Sequence, residues 1–309
     1  MRALETRNLA AALEDAAAIA RPRAAEGRVA DYIPALARVP ASRFALALVT
    51  ADGREAAVGD ADTPFSIQSI SKLFTLALAM EWVGDALWTR VGREPSGMRF
   101  NSIIQLETEA GIPRNPFINA GALVVTDALM HRRWDLASSF RAQMRLLAGN
   151  PALQYDHEVA RSEERHGDLN RAIAYVLRAH GNLREDPGEV TRTYFRACSL
   201  AMSARDLARA AMFLVAPQPG QAACGAGAHA RRLRAIMRTC GLYDQSGEFA
   251  FRVGLPGKSG VGGGIVVAEP GAFAACAWSP PLDPFGNSVA GQAALEALVP
   301  RLLDEPAVG

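Results

Sequence analysis

The sequence predicts an α+β fold in which one antiparallel sheet, flanked by helices, adjoins a lobe made almost wholly of helices. Three observations lead there. Apolar, strand-like runs bounded by turn residues lie near both ends of the chain. From about residue 115 to 240, apolar residues instead recur at helical spacing. Strands and helices are thus segregated rather than alternating, a pattern that argues against a parallel βαβ sheet and for end strands joined in one sheet.

Taken in order, an amphipathic helix is expected over about residues 3–20, with Leu9, Leu13, Ala16 and Ala20 on one face, ending before Arg21-Pro22. Phe44–Thr50 is an apolar strand, Ala51-Asp52-Gly53 its turn, and Arg54–Val58 the returning strand. Ser69 to about Val83 is a long apolar helix with no Pro or Gly before Gly84. Helical spacing follows at Ala120–Leu129, Asp135–Leu147, Asp168–His180 and Ala204–Val215. Pro217–Gly227 is a connector. Phe249–Val253, Val261–Ala268 and Phe273–Trp278 are expected as strands, and a helix at about Val289–Leu303 closes the chain. No internal repeat is present. The 309 residues are expected to form one unit, with a sheet-containing lobe from 20–75 and 240–309 and a mostly helical lobe from 76–239.

Composition narrows the functional classes. A net charge of +1 gives no reason to expect nucleic acid or an acidic membrane as partner. No apolar run approaches the ~20 residues needed to span a bilayer. Glu5, Glu14 and Asp15 interrupt the N-terminal apolar stretch, so it does not read as a signal peptide and a cytoplasmic location is expected. Cys198, Cys224, Cys240 and Cys276 are widely spaced, and the five histidines form no ligand set, so neither a metal nor another cofactor is expected.

All but two of the 33 basic residues are arginine; the exceptions are Lys72 and Lys258. Arginine stays protonated at any working pH, whereas a desolvated lysine can lose its proton and serve as a base. Lys72 follows Ser69 at the spacing S-x-x-K, which on a helix places the amine one turn from the hydroxyl. A serine needs such a neighbour to become nucleophilic, and burial lowers the lysine pKa enough to provide it. Ser66 and Ser71 lack this relation to Lys72. Lys258 lies in Gly257-Lys258-Ser259-Gly260-Val261-Gly262-Gly263-Gly264. S-x-x-K with a later K-[ST]-G is the pairing of β-lactamases and penicillin-binding proteins. In that arrangement the K-[ST]-G strand lies beside the nucleophile and lends an N–H to the oxyanion hole. A P-loop is excluded, because it requires glycine where Arg252 stands and a helix where a strand follows.

Several longer blocks make the resemblance specific. They are Val29-Ala30-Asp31-Tyr32-Ile33-Pro34, Gln68-Ser69-Ile70-Ser71-Lys72, Glu94-Pro95-Ser96-Gly97 and Asn115-Pro116-Phe117-Ile118-Asn119-Ala120-Gly121-Ala122. Cys240-Gly241-Leu242-Tyr243-Asp244, Lys258-Ser259-Gly260-Val261 and Trp278-Ser279-Pro280-Pro281-Leu282-Asp283 complete the set. From about residue 25 to 300 the chain resembles the serine-dependent glutaminases. The resemblance implies a β-lactamase/DD-peptidase-like fold, hydrolysis of L-glutamine to L-glutamate and ammonia, no cofactor or metal, and a homodimer or homotetramer. It also implies that Ser69 is the nucleophile, Lys72 its base, Tyr243 and Tyr32 proton relays, and the N–H groups of Ser69 and Val261 the oxyanion hole. Substrate-binding positions fall on Ser69, Asn119, Glu163, Asn170, Tyr194, Tyr243 and Val261, with Gln68, Lys258, Ser259 and Gly260 as supporting motif residues.

Read without the resemblance, Asn119 is a helix N-cap, Glu163 part of a solvated charged face, Asn170 a helix-start residue, and Tyr194 and Tyr243 core aromatics. One departure stands out. The family often has Gly-Asp-Arg-Asn before the middle helix, whereas this chain has Gly167-Asp168-Leu169-Asn170. Two rival functions share the scaffold. A β-lactamase or penicillin-recognising peptidase would normally be exported, and a non-catalytic binding protein would be expected to have lost Ser69, Lys72 or Tyr243.

Overall fold

The computed structural model describes residues 8–98, 101–133, 135–216 and 226–303. Helix α1, Leu9–Ala20, is capped by Asn8, whose side chain accepts from the Ala11 N–H. Residues 3–7 of the expected helix lie outside the described residues. Strands β1 (Ala45–Thr50) and β2 (Glu55–Gly59) form the expected hairpin, and a two-residue β3 (Phe65–Ser66) leads to α2 (Ser71–Trp82). Next come α3 (Ile103–Thr108), α4 (Asn119–Met130), α5 (Leu136–Ala148), β4 (Gln154–Tyr155), α6 (His157–His166) and α7 (Asp168–Ala179). Helix α8 (Pro187–Cys198), β5 (Leu200–Met202), α9 (Ala204–Ala210), α10 (Ala226–Cys240) and α11 (Ser246–Val253) follow. Strands β6 (Gly257–Gly260), β7 (Gly264–Glu269) and β8 (Phe273–Trp278), then helix α12 (Val289–Leu303), end the fold.

The five longer strands form one antiparallel sheet in the order β2-β1-β8-β7-β6. Its central strands are buried on both faces, which explains why β1 shows no polar alternation. Leu46, Leu48, Ile265, Val267 and Ala275 join α1 and α12 in one core, while Ala47, Val266, Ala274 and Trp278 face the helical core on the other side. Adjacent residues along each strand thus serve opposite layers. A second sheet, β3-β5-β4, is too short to have been legible in the sequence.

Three expectations are corrected. Phe249–Val253 is helical, not a strand: Ser246, Phe249 and Val253 are its buried residues, whereas Phe251 is 75% exposed. As a strand, Phe249, Phe251 and Val253 would share one face; the spacing of the buried residues fits a helical stripe instead. Val261–Ala268 is not one strand either. Gly260 pairs with Gly264 across a three-residue turn, and Gly263 at φ +93° takes the left-handed conformation that turn requires. The expected helix at Ser69 begins as a 3-10 turn over Gln68–Ile70, with α-helix only from Ser71. Of the Pro217–Gly227 connector, residues 217–225 lie outside the described residues, and α10 begins at Ala226.

Two features fix where α4 and β6 sit. Asp127 on α4 has no exposed surface, and its carboxylate accepts from Arg90 Nη2 at 2.6 Å and from the N–H groups of Arg184 and Glu185 at 2.9 and 2.7 Å. Asn182 completes the staple, donating to the Arg90 and Gly111 carbonyls, each at 2.8 Å. Gly260 permits β6 to lie against the 3-10 turn, because a Cβ there would stand 2.6 Å from Ile67 O and 3.1 Å from Ser69 N.

Replacing Asp127 by Ala should destabilise the protein by about 3–5 kcal/mol, since it leaves the Arg90 charge uncompensated; urea unfolding measures this, and a loss under ~1 kcal/mol would contradict the staple. Gly260→Ala should push β6 off the 67–70 backbone and lower activity about 100-fold or more, with a near-native circular dichroism spectrum; wild-type activity would contradict the close-approach argument.

Candidate active site

The 3-10 turn Gln68–Ile70 bends the chain so that Ser69 faces a cavity of about 370 Å³. Gln68 is held at φ +49°, in the left-handed region, a conformation that costs a non-glycine residue of order 1 kcal/mol and marks sites where geometry is imposed. Its side chain donates to Ser66 Oγ at 2.9 Å, and Ile67 N–H donates to Leu200 O at 3.0 Å, so the bend is tied from both sides.

Lys72, the second residue of the buried helix α2 and three residues after Ser69, is 1% exposed. Its Nζ donates to Asn119 Oδ1 at 2.7 Å and to Phe117 O at 3.1 Å, and lies 5.7 Å above the Tyr194 ring. Loss of hydration pulls its pKa down to about 8, with a smaller opposing pull from Glu163. Asn119 is not an N-cap. It is the first residue of α4, and its side chain runs from Lys72 to Asn170, Nδ2 donating to Asn170 Oδ1 at 2.8 Å. That pairing fixes the orientation of both amides. Tyr194 O–H meets Asn119 Oδ1 at 3.5 Å.

Glu163 is not solvated. The charged helix α6 turns Val159, Ser162 and Glu163 inward, leaving Glu163 6% exposed at the cavity. Burial raises its pKa to about 7, against opposing pulls from a Gln68 hydrogen bond and the Lys72 charge. Asn170, Tyr194, Val261, Gln68 and Tyr32 line the same cavity, Tyr32 at its rim with 55% of its surface exposed. Leu169, standing where Arg is frequent in the family, is also at the wall and 43% exposed.

On the β6 side, Lys258 is wholly buried, donating to Gly241 O at 3.0 Å and Ser259 O at 2.6 Å, with Nζ 4.8 Å above the Tyr243 ring. Burial holds its pKa well below the usual lysine value, and the nearby Lys72 charge adds to this. Tyr243, at φ +54°, carries a phenol pushed up to about 12 by burial, while hydrogen bonding with Ser69 and Ser259 pulls it down. Ser259 N–H donates to Gly241 O at 3.2 Å, tying β6 to the segment that carries Tyr243.

Of the expected residues, Tyr32, Gln68, Ser69, Asn119, Glu163, Asn170, Tyr194 and Val261 line this one cavity. Lys72, Tyr243, Lys258, Ser259 and Gly260 do not line it and connect to it through the contacts just described. Asn101 and His166 also line the cavity and were not foreseen. Nor was Cys198, whose Sγ lies 3.8 Å from Ser71 Oγ with its pKa raised to about 12 by burial. No local spacing singles out these three. Among the described residues, no helix is long and apolar enough to cross a membrane.

A constrained serine three residues before a desolvated lysine, with the serine facing a pocket of amides and one buried carboxylate, suits chemistry on the amide of a small amino acid. Comparison with known proteins agrees. The glutaminase family model matches residues 27–303. A glutaminase of Paraburkholderia phytofirmans is 52% identical over 94% of this chain and 97% of its own length. One from Azorhizobium caulinodans is 53% identical over 88% of this chain and 90% of its own. Among solved structures, a probable glutaminase, ybaS, superposes with a TM-score of 0.86 at 37% identity, covering 95% of this chain and 96% of that one. A probable glutaminase of Bacillus subtilis gives 0.84 at 30% identity, covering 94% and 95%. On these matches, which span nearly its whole length, the chain belongs to the glutaminase family.

Proposed function

We propose that this glutaminase hydrolyses the side-chain amide of L-glutamine to L-glutamate and ammonia through an acyl-enzyme on Ser69, with Lys72 as general base. One observation carries the reading: the two acceptors on Lys72 Nζ, Phe117 O and Asn119 Oδ1. A neutral amine has two N–H donors and one lone pair; with both donors engaged, the lone pair is left for the Ser69 proton. Ser69 Oγ then attacks the amide carbon, and the oxyanion meets the N–H groups of Ser69 and Val261. The proton passes to the leaving nitrogen with Tyr243 as relay, assisted from the rim by Tyr32. After ammonia departs, water attacks the ester and Ser69 is restored.

The remaining residues hold the substrate. Glu163 pairs with the α-ammonium, while Asn170 Nδ2 and the Tyr194 hydroxyl donate to the α-carboxylate. Asn119 orients both Lys72 and Asn170. Gln68, Lys258, Ser259 and Gly260 keep the nucleophile turn, Tyr243 and Val261 in register. In this reading the site lies where the sheet lobe (20–75, 240–309) meets the helical lobe (76–239). The enzyme works in the cytoplasm as a homodimer or homotetramer; the assembly is supported by Ile104 on α3 and Tyr175 on the neighbouring α7, apolar side chains 66% and 62% exposed. Light scattering tests the assembly, and a monomer would contradict it.

Ser69→Ala should abolish ammonia release from L-glutamine, a loss of about 10³-fold or more, while leaving the thermal unfolding midpoint near wild type. Substantial residual turnover would point to another nucleophile. Lys72→Arg should be nearly as inactive, because a guanidinium does not give up its proton. The pH profile carries its own sign. Glu163 must be ionised and Lys72 neutral, and both fractions grow as pH rises through about 7 and about 8 respectively. kcat/KM should therefore climb from acidic pH to a plateau above about 8. Glu163→Gln should raise KM about tenfold or more and remove the lower limb; a flat profile in the wild type would contradict both roles.

A further inference from the structure

Beside the catalytic cavity, a second cavity of about 360 Å³ lies between the Pro34–Arg38 segment and the outer face of α6. Three guanidinium groups border it, those of Arg38, Arg161 and Arg165, against one carboxylate, Glu158. Glu158 is already bonded to Arg38. Arg161 and Arg165 are exposed and have no ion pair or hydrogen bond among the described residues. They stand four residues apart on α6, neighbours on one face, where unpaired like charges weaken a helix. The two cavities adjoin at His166, which lines both and whose Nδ1 is bonded to Ser162 O at 2.9 Å.

We propose that Arg161 and Arg165 form a subsite for a compact oxyanion, a dicarboxylate or phosphate, at the edge of the active site. Its occupant in turnover is the product L-glutamate. Hydrolysis converts a neutral amide into a carboxylate, so the product carries one more negative charge than the substrate. A pair of unneutralised guanidinium forks discriminates by that charge, and each can hold a carboxylate through two parallel hydrogen bonds. Because the side chains are exposed, the subsite is weak and screened by salt. The assignment of L-glutamate rests on the cavity around Ser69 being the active site.

The test is calorimetric titration of the full-length protein and of the Arg161→Ala/Arg165→Ala variant at low salt. Succinate is the first probe, since it lacks the α-ammonium that Glu163 would hold. Binding to wild type at roughly millimolar Kd, weakened about fivefold or more in the double variant and only partly restored by Arg161→Lys/Arg165→Lys, which keeps the charge but not the fork, is the expected result. L-Glutamate should bind twice per chain in wild type and once in the double variant. Initial-rate kcat/KM for L-glutamine should be the same in both. Displacement of succinate by inorganic phosphate would assign the subsite to oxyanions in general, and failure to displace it would restrict it to dicarboxylates. No succinate binding to wild type, or equal binding to both proteins, overturns the proposal. Succinate binding does not depend on turnover, so it decides the subsite even if Ser69→Ala were to retain activity and the active-site reading failed.

Discussion

A lysine ammonium removed almost wholly from water is the constraint around which this protein is organised. An isolated charge in such a place is expensive, and the side chain responds by binding its proton less tightly. The fall from the ordinary 10.5 to about 8 at Lys72 corresponds to about 3 kcal/mol of lost preference for the charged form. That burial requires packing on every side. Helix α2 is buried from Ser71 to Met80, and the Phe117 carbonyl, Asn119 and the Tyr194 ring close over the amine. The Arg90–Asp127–Asn182 staple then matters at a distance, because it fixes the helix whose first residue is Asn119.

The sheet supplies the other half of the site, and there backbone rather than side chain decides. Strand β6 and the turn after it approach the Ser66–Ile70 backbone so closely that Gly260 and Gly262 have no room for a Cβ, which would fall 2.6 Å from Ile67 O and 2.3 Å from Ser66 O. This approach brings Val261 to the same cavity as Ser69. The second lysine serves the same end by a different route. Lys258 spans Gly241 O and Ser259 O, binding the strand to the segment that presents Tyr243. Strain at Gln68 and Tyr243, both at positive φ, falls on two residues that flank Ser69, one in sequence and one in space, as expected where structure over-determines geometry.

Much of this was legible before the fold was known, for identifiable reasons. Near-total replacement of lysine by arginine made Lys72 and Lys258 conspicuous, and both are fully buried at the site. The β1–β2 hairpin and β8 announced themselves by long apolar runs between turn residues. Misreadings arose where a short segment fits two periods. Phe249-Ala250-Phe251 alternates like a strand, yet only Phe249 of the two phenylalanines is buried. Strand β6 carries two glycines among its four residues and has no apolar signature, so only its K-S-G motif betrayed it. Glu163 was legible through resemblance alone, because the charged residues around it obscure the single buried face of α6. Asn101 and His166 reach the cavity through tertiary folding that no local spacing records.

The most direct test of the central claim is acid-quench mass spectrometry of the enzyme during turnover of L-glutamine, with the modified peptide sequenced. Activation of Ser69 by Lys72 predicts a γ-glutamyl group on Ser69 in wild type. A γ-glutamyl group carried on any other side chain would contradict it.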